Sequence, residues 1–318
     1  MIPGGEGWLR PLGRTGLEVS AVCVGGGPLG SMPGLFGYDV SADQGVALVQ
    51  EVLHSPIRFL DTANGYSDGE SERRIGAGIA ANGGLPEDFV IGTKVDAKGS
   101  NYSGARVRES VAESKERLGL DRLPLVHLHD PENHDFDMMT APGGAVETLV
   151  AMRDAGEIGS IGLAGGDTRI NARYFDLGVF DVLLVHNRLT LVDRSADALV
   201  ERAAERGMGV LNAAVYGSGA LARQEGPVGK YGYRPPSQPV EEAILGLRRL
   251  CAEYGTDIAT AALQFSLRDP RVSSSIVGIS KPERLEGVLA ASATELPQEF
   301  WDRVEELCPA PECWLDAD

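Results

Sequence analysis

The chain predicts a (β/α)8 TIM barrel preceded by an N-terminal β-hairpin, read as a single barrel domain over residues 1–318. Three observations point there. Eight short apolar runs recur, near 19–24, 57–61, 89–94, 125–129, 158–163, 181–186, 209–215 and 275–279. Stretches of helical periodicity lie between them, at 43–54, 103–118, 145–155, 195–206 and 240–254. No composition break or linker divides the 318 residues. Strands that alternate with helices make βα units, and eight such units close into a barrel of ordinary size. A doubly wound open sheet is the alternative, but eight strands without a break favour closure.

The elements follow in order. Gly13-Arg14-Thr15-Gly16 lies between two short apolar runs and marks the turn of the hairpin. Several helical stretches stop at a glycine, at Gly119, Gly156, Gly207 and Gly255. A residue without a Cβ closes a helix C-terminus at little steric cost. The Gly/Pro-rich stretch 226–239 follows the seventh strand. In a parallel barrel that end of the strand carries the chemistry. A long loop there is expected as a lid or binding loop rather than a domain boundary.

Bulk properties narrow the function. A net charge of −17 repels phosphate backbones and anionic lipid, so nucleic acid and membrane surfaces are excluded as partners. Four scattered cysteines, Cys23, Cys251, Cys308 and Cys313, are too few for a disulfide framework. The first residues lack the basic-then-apolar pattern of a signal peptide, and no apolar stretch is long enough to span a bilayer. A cytoplasmic protein is expected, as a monomer or small homo-oligomer acting on a small molecule.

Four residues carry the chemical reading. Asp61 ends Phe59-Leu60-Asp61 and Tyr66 follows five positions on. Lys94 ends Val90-Ile91-Gly92-Thr93-Lys94, and His129 ends Leu125-Val126-His127-Leu128-His129. Strand C-termini converge on one face of a barrel, so an acid, a phenol, a cation and an imidazole meet there. Together they can deliver a proton to a carbonyl oxygen. A free phenol, with a pKa of about 10, is a weak donor near neutrality. Lys94 is expected to stabilise the phenolate and lower that value, with Asp61 holding Lys94 charged.

These segments resemble the aldo-keto reductase family over essentially the whole chain. The resemblance rests on Leu12-Gly13-Arg14-Thr15-Gly16-Leu17, on Asp61-Thr62-Ala63 with Tyr66 and Ser71-Glu72-Arg73-Arg74-Ile75-Gly76, and on Thr93-Lys94. It rests also on Leu128-His129-Asp130-Pro131 and Gly156-Glu157-Ile158-Gly159-Ser160-Ile161-Gly162. It implies hydride transfer between a nicotinamide and a carbonyl or alcohol without a metal. Tyr66 would be the general acid/base, tuned by Lys94 and Asp61, with His129 orienting the carbonyl. Within the family the chain resembles most the D-threo-aldose 1-dehydrogenases, which oxidise fucose- or galactose-type sugars at the anomeric carbon, with pyridoxal dehydrogenase nearby. Plain aldehyde or ketone reduction and pyridoxal oxidation remain alternatives.

The family's cofactor pattern is carried less completely. Strand five reads Leu163-Ala164-Gly165-Gly166 where Ser-Asn is usual, and Ala213 stands where a tyrosine usually stacks on the nicotinamide. His186 and Asn187 are the candidates to hold the carboxamide instead. Tyr216, Gly217, Ser218, Gly219 and Leu221 form a turn whose backbone N–H groups can wrap a pyrophosphate. Gly278, Ser280, Lys281 and Arg284 surround the start of a helix that favours anions. Lys281 and Arg284 suit a 2′-phosphate, whereas Ser280 and Glu283 do not, so NAD and NADP both remain open.

Three other readings compete. Gly25-Gly26-Gly27-Pro28-Leu29-Gly30 fits a dinucleotide fingerprint, but Pro33, Gly34 and Gly37 interrupt the helix it needs. Its glycines more readily admit a ligand to the first loop, with Phe36 and Tyr38 lining a pocket. His127 and His129 share a strand face and, with His186, offer a zinc site for a barrel hydrolase. That reading leaves Tyr66 and Lys94 unused and finds no aspartate on the eighth strand. A regulatory binding module is the third, and the intact set of four argues against it. Substrate choice is expected from loops at 35–38, 131–142 and 227–239.

Overall fold

The computed structural model describes residues 1–317, with the side chains of Leu35 and Phe36 outside the described part. Strands β1 (Leu9–Pro11) and β2 (Glu18–Ser20) form an antiparallel hairpin. Eight parallel strands then close a barrel. They are β3 (Val22–Gly25), β4 (Phe59–Asp61), β5 (Val90–Val95), β6 (Leu125–His129), β7 (Ser160–Gly165), β8 (Val182–His186), β9 (Gly209–Ala213) and β10 (Ser274–Gly278). Closure is made by β10, which pairs with both β9 and β3.

The first apolar run, 19–24, is not one strand. It is cut at Ala21 into the second hairpin strand and the first barrel strand. Ser20 makes the corner: its hydroxyl donates to the Val22 carbonyl at 2.6 Å and accepts the Arg58 N–H at 2.9 Å. The Ala21 N–H donates to the Trp8 carbonyl at 2.7 Å. Both strands bury apolar residues, so apolarity alone could not mark the break.

The hairpin closes the N-terminal end of the barrel. Leu12 and Val19 are fully buried and pack with the interior residues Cys23, Phe59, Leu125 and Leu211. The turn presses so closely on β9 that a Cβ at Gly13 would lie 2.1 Å from the Gly209 nitrogen. Gly13 also holds a φ of 52°, where a side chain is strained.

Helices expected from periodicity form as Ala42–His54, Gly104–Leu118, Ala145–Asp154, Asp197–Glu205 and Gln238–Glu253. Ser41 and Ser103 cap the first two, each side chain accepting a backbone N–H, an arrangement that contributes about 1 kcal/mol. Among the described residues no helix is long and apolar enough to cross a membrane. All four cysteines are free.

Period-two alternation then places the site. Val24, Leu60, Ile91, Val126, Leu128, Ile161, Leu183 and Val210 face the surrounding helices. Their alternates point inward. The last inward position on each strand is Gly25, Asp61, Lys94, His129, Ala164, His186, Ala213 or Gly278, and all eight line one cavity.

Candidate active site

The cavity has a volume of about 400 Å³ and opens at the C-terminal end of the barrel. Asp61, Lys94 and His129 sit on three consecutive strands, so β-pairing alone makes them neighbours. Tyr66 comes from the loop after β4. That loop is pinned by the Asn64 N–H on the Lys94 carbonyl at 3.0 Å and by Arg106 on the Asn64 side chain at 2.9 Å. The four residues expected to meet do meet.

Lys94 is almost wholly buried and spends its ammonium on three oxygens. It donates to Asp61 Oδ2 at 2.5 Å and to the Thr62 carbonyl at 2.7 Å, and lies 3.5 Å from the Tyr66 hydroxyl. Burial alone would depress this ammonium, but Asp61 and Tyr66 hold it above its ordinary value. Burial raises the Asp61 carboxyl, with Lys94 working against the rise.

The Tyr66 phenol departs from expectation. Burial raises it above its ordinary value and outweighs the pull of Lys94. Burial is the main cause, and Asp61, 2.5 Å from Nζ, also works against the Lys94 field at the phenol. Asp61 and Asp130 raise it further. The resting site therefore holds a neutral phenol beside an ammonium, a proton donor with a cation ready for the phenolate.

His129 Nδ1 donates to the ionised Asp96 carboxylate at 2.7 Å, and its ring meets Tyr66 edge-on with centroids 5.5 Å apart. Nε2 lies 3.9 Å from Asp130 Oδ1. Asp130 also lies 3.9 Å from His186 Nε2 and holds a left-handed φ of 41°. Burial pulls His186 down to about 4, so its imidazole is neutral near pH 7. Tyr233 covers this wall, its ring 6.1 Å from that of His186. Sequence reasoning assigned no role to Asp96, Asp130 or Tyr233. Asp130 directly follows His129, and Asp96 lies two positions past Lys94, which is the only signal either carries. The 226–239 loop does reach the cavity, through Tyr233.

The cofactor candidates separate into groups. His186 and Gly278 line the cavity. Asn187 does not; it is fully buried, with its amide against His186 Nδ1 at 3.2 Å and its carbonyl oxygen Oδ1 accepting Ser218 Oγ at 3.0 Å. It ties β8 to the Tyr216–Leu221 turn. In that turn the N–H groups of Gly217, Gly219, Ala220 and Leu221 already donate to Ala214, Tyr216 and Gly217 carbonyls. Leu221 is buried and Tyr216 half-buried, both packed below the surface. Ser280 is buried, whereas Lys281 and Arg284 are exposed at the start of the helix Pro282–Ala293, whose cap position carries no side-chain bond.

These features fit a nicotinamide dinucleotide. Gly25, Ala164, Ala213, Ala214 and Gly278 leave one half of the cavity without large side chains. A Cβ at Gly278 would come within 3.1 Å of the Pro28 ring and narrow that slot. The uncapped helix start with Lys281 and Arg284 suits the phosphates.

The zinc reading is not assembled. His127 is buried in the barrel, with both ring nitrogens lacking a partner among the described residues, and burial drives its imidazole well below its ordinary value. Among the described residues the His/Asp/Glu group within ligand distance is Asp130, Glu132 and His186 instead. The glycines after β3 do line the cavity, as Gly25, Gly26 and Gly27. Tyr38 is not among the lining residues, and the Phe36 side chain lies outside the described residues.

A parallel barrel with this set at its mouth defines a nicotinamide-dependent oxidoreductase. The aldo/keto reductase family profile matches residues 21–308, and the chain belongs to that family. It is 33% identical to L-galactose dehydrogenase of Arabidopsis thaliana, over 91% of this chain and 88% of that one. It is 30% identical to D-threo-aldose 1-dehydrogenase of a Pseudomonas species, over 93% of this chain and 97% of that one. Pyridoxal 4-dehydrogenase of Microbacterium luteolum is also 30% identical, over 92% and 95%. The fold matches an aldo-keto reductase of Bacillus halodurans in its holo form, with a TM-score of 0.77 at 21% identity over 98% and 99% of the two chains.

Proposed function

We propose that this chain oxidises an aldose at C1 to its lactone, with NADP or NAD as hydride acceptor. The observation that carries the reading is the Tyr66 hydroxyl 3.5 Å from the Lys94 ammonium, facing the cavity beside His129. The sugar dehydrogenases among the relatives support the substrate class. A bound nicotinamide supplies the hydride acceptor, or the donor in reverse.

The chain's own residues handle the proton. In the reductive direction Tyr66 donates to the carbonyl oxygen, and Lys94 stabilises the phenolate left behind. In the oxidative direction the phenolate takes the proton of the anomeric hydroxyl. His129 and Tyr66 together orient that oxygen. Asp61 keeps Lys94 charged and in place. His186, Gly278 and Ala213 bound the nicotinamide end, and Lys281 and Arg284 meet the phosphates. Residues 1–318 act as one barrel domain on a small molecule, in the cytoplasm.

The test follows nicotinamide absorbance with L-fucose, D-arabinose and L-galactose, each with NAD and with NADP. Reduced cofactor with any pair is the expected result, and the productive pair identifies the nucleotide that Ser280, Lys281 and Arg284 admit. Pyridoxal oxidation without sugar oxidation would transfer the assignment to the second reading, which the pyridoxal 4-dehydrogenase relative favours.

A further inference from the structure

We propose that Asp96 is a positioning residue that couples the two proton-handling groups of the site: it fixes the His129 tautomer with Nε2 toward the cavity and, through the Gly65 amide, sets the loop that presents Tyr66. This rests on the roles proposed above for Tyr66 and His129.

One carboxylate serves both neighbours. Oδ1 meets His129 Nδ1 at 2.7 Å, and Oδ2 accepts the Gly65 N–H at 2.6 Å. Gly65 directly precedes Tyr66 in the chain. The approach requires a glycine, because a Cβ at position 65 would lie 2.9 Å from the Asp96 carboxyl carbon. Asp96 cannot drift away to relieve this. Its N–H donates to Ser110 Oγ at 3.2 Å and its carbonyl accepts Arg106 Nε at 3.0 Å, both from the helix Gly104–Leu118. Lys94 lies two positions earlier, near the end of β5, so one stretch of chain holds Lys94 and, through Asp96, reaches both His129 and the Tyr66 loop.

An ionised carboxylate only accepts, so Nδ1 of His129 carries the proton. Nε2 is then the nitrogen left for substrate. It is a lone pair when the ring is neutral and a donor when the ring is charged. Other groups act on this ring. Asp130 stands 3.9 Å from Nε2, Tyr66 packs edge-on, and Tyr102 bonds the backbone N–H at 3.1 Å. The charges of Lys94 and Asp61 also reach it, and the His127 and His186 rings, both held below their ordinary values by burial, lie within electrostatic reach. Burial opposes the imidazolium, but Asp96 and then Asp130 hold it above its ordinary value. Asp96 itself, despite burial, is held below its ordinary value by His129.

Asp96→Asn separates this role from a scaffold role. The amide oxygen can still accept from Gly65, but its NH2 faces Nδ1, which must then accept, and the proton moves to Nε2. Nitrogen NMR of the histidine rings in the resting enzyme reads tautomer and titration without any turnover. The wild type is expected to show the Nδ1–H tautomer at His129 and titration above the ordinary histidine value. Asp96→Asn is expected to show Nε2–H, a lower titration point, and kcat reduced about 100-fold with KM little changed. In the reductive direction the high-pH limb set by His129 is expected to flatten, because Nε2–H donates in both ring states. Gly65→Ala, which keeps the carboxylate but displaces it, is expected instead to move that limb to lower pH. An Nε2–H tautomer in the wild type overturns the proposal, even if no variant folds. So does an Asp96→Asn enzyme whose His129 titration is unmoved and whose only defect is a lower Tm. Failure of every sugar to react would sink the substrate assignment and leave the NMR result standing.

Discussion

Strands β4, β5 and β6 end in Asp61, Lys94 and His129, whereas β9, β10 and β3 end in Ala213, Gly278 and Gly25. The two halves of the mouth share one barrel, one pairing pattern and one inward register. They differ only in which side chain occupies the last inward position. The first half is charged and heavily bonded: Lys94 is held on three oxygens and His129 on Asp96. The second half offers space. A site that moves a proton at one edge and admits a flat ring at the other needs both. The fold supplies the division without any insertion, because β4, β5 and β6 are adjacent, as are β9, β10 and β3.

The largest effect is expected from the polar half. Tyr66→Phe removes the hydroxyl beside Lys94 and is expected to lower kcat by at least about 100-fold. Nucleotide affinity, followed by fluorescence titration, is expected to stay at the wild-type value. Near-normal turnover in that variant would detach the chemistry from this half. Next comes Lys94→Met. It leaves the Asp61 carboxylate buried without its partner, at a cost of roughly 3–5 kcal/mol in denaturant unfolding. Adding Asp61→Asn is expected to restore much of that stability and none of the turnover. If the single variant unfolds like the wild type, the pair does not hold the barrel mouth together.

The bare half gives an intermediate effect with the opposite signature. Ala213→Leu pushes a side chain into the slot, and overpacking of that kind costs about 1–3 kcal/mol. Here the loss is expected in nucleotide affinity, about 10-fold or more, rather than in Tyr66 chemistry. Unchanged affinity would place the nicotinamide elsewhere. The smallest effect lies behind the polar half. Glu113 accepts from Arg106 and Asn64 and pairs with Arg117, which also donates to the Asn64 carbonyl in the Tyr66 loop. Bonding to Arg106 outweighs desolvation and holds its carboxyl at about 2. A carboxyl depressed on folding stabilises the fold above its unfolded value and loses that contribution as pH falls toward its folded one. Calorimetry is therefore expected to show Tm falling between about pH 5 and pH 2 in the wild type, and falling less in Glu113→Gln.

The polar half was legible before any coordinates because each of its members ends an apolar run. Strand ends of a parallel barrel converge, so position in sequence translated directly into position in space. Asp96 and Tyr233 were not legible. Asp96 matters through Gly65, 31 residues away, and through His129, 33 away. Tyr233 reaches His186 from a loop whose course is set by Tyr231, buried against Thr190 and the Asn187 carbonyl. The sequence suggests a phosphate wrap at 217–221, but the N–H groups of Gly217, Gly219, Ala220 and Leu221 are taken by Ala214, Tyr216 and Gly217 carbonyls, which only the folded chain could reveal.

By itself the sequence determined the barrel, its hairpin and the convergence of Asp61, Tyr66, Lys94 and His129. These follow from period-two burial, glycine-capped helices and strand order, all of which are local. Tertiary structure alone decided where the apolar run 19–24 breaks and which groups carry protons. Lys94 lowers a phenol in isolation, yet Tyr66 is raised here, because burial and the Asp61 carboxylate cancel that field. Protonation depends on depth and on every charge within reach, and those come from residues far apart in the chain.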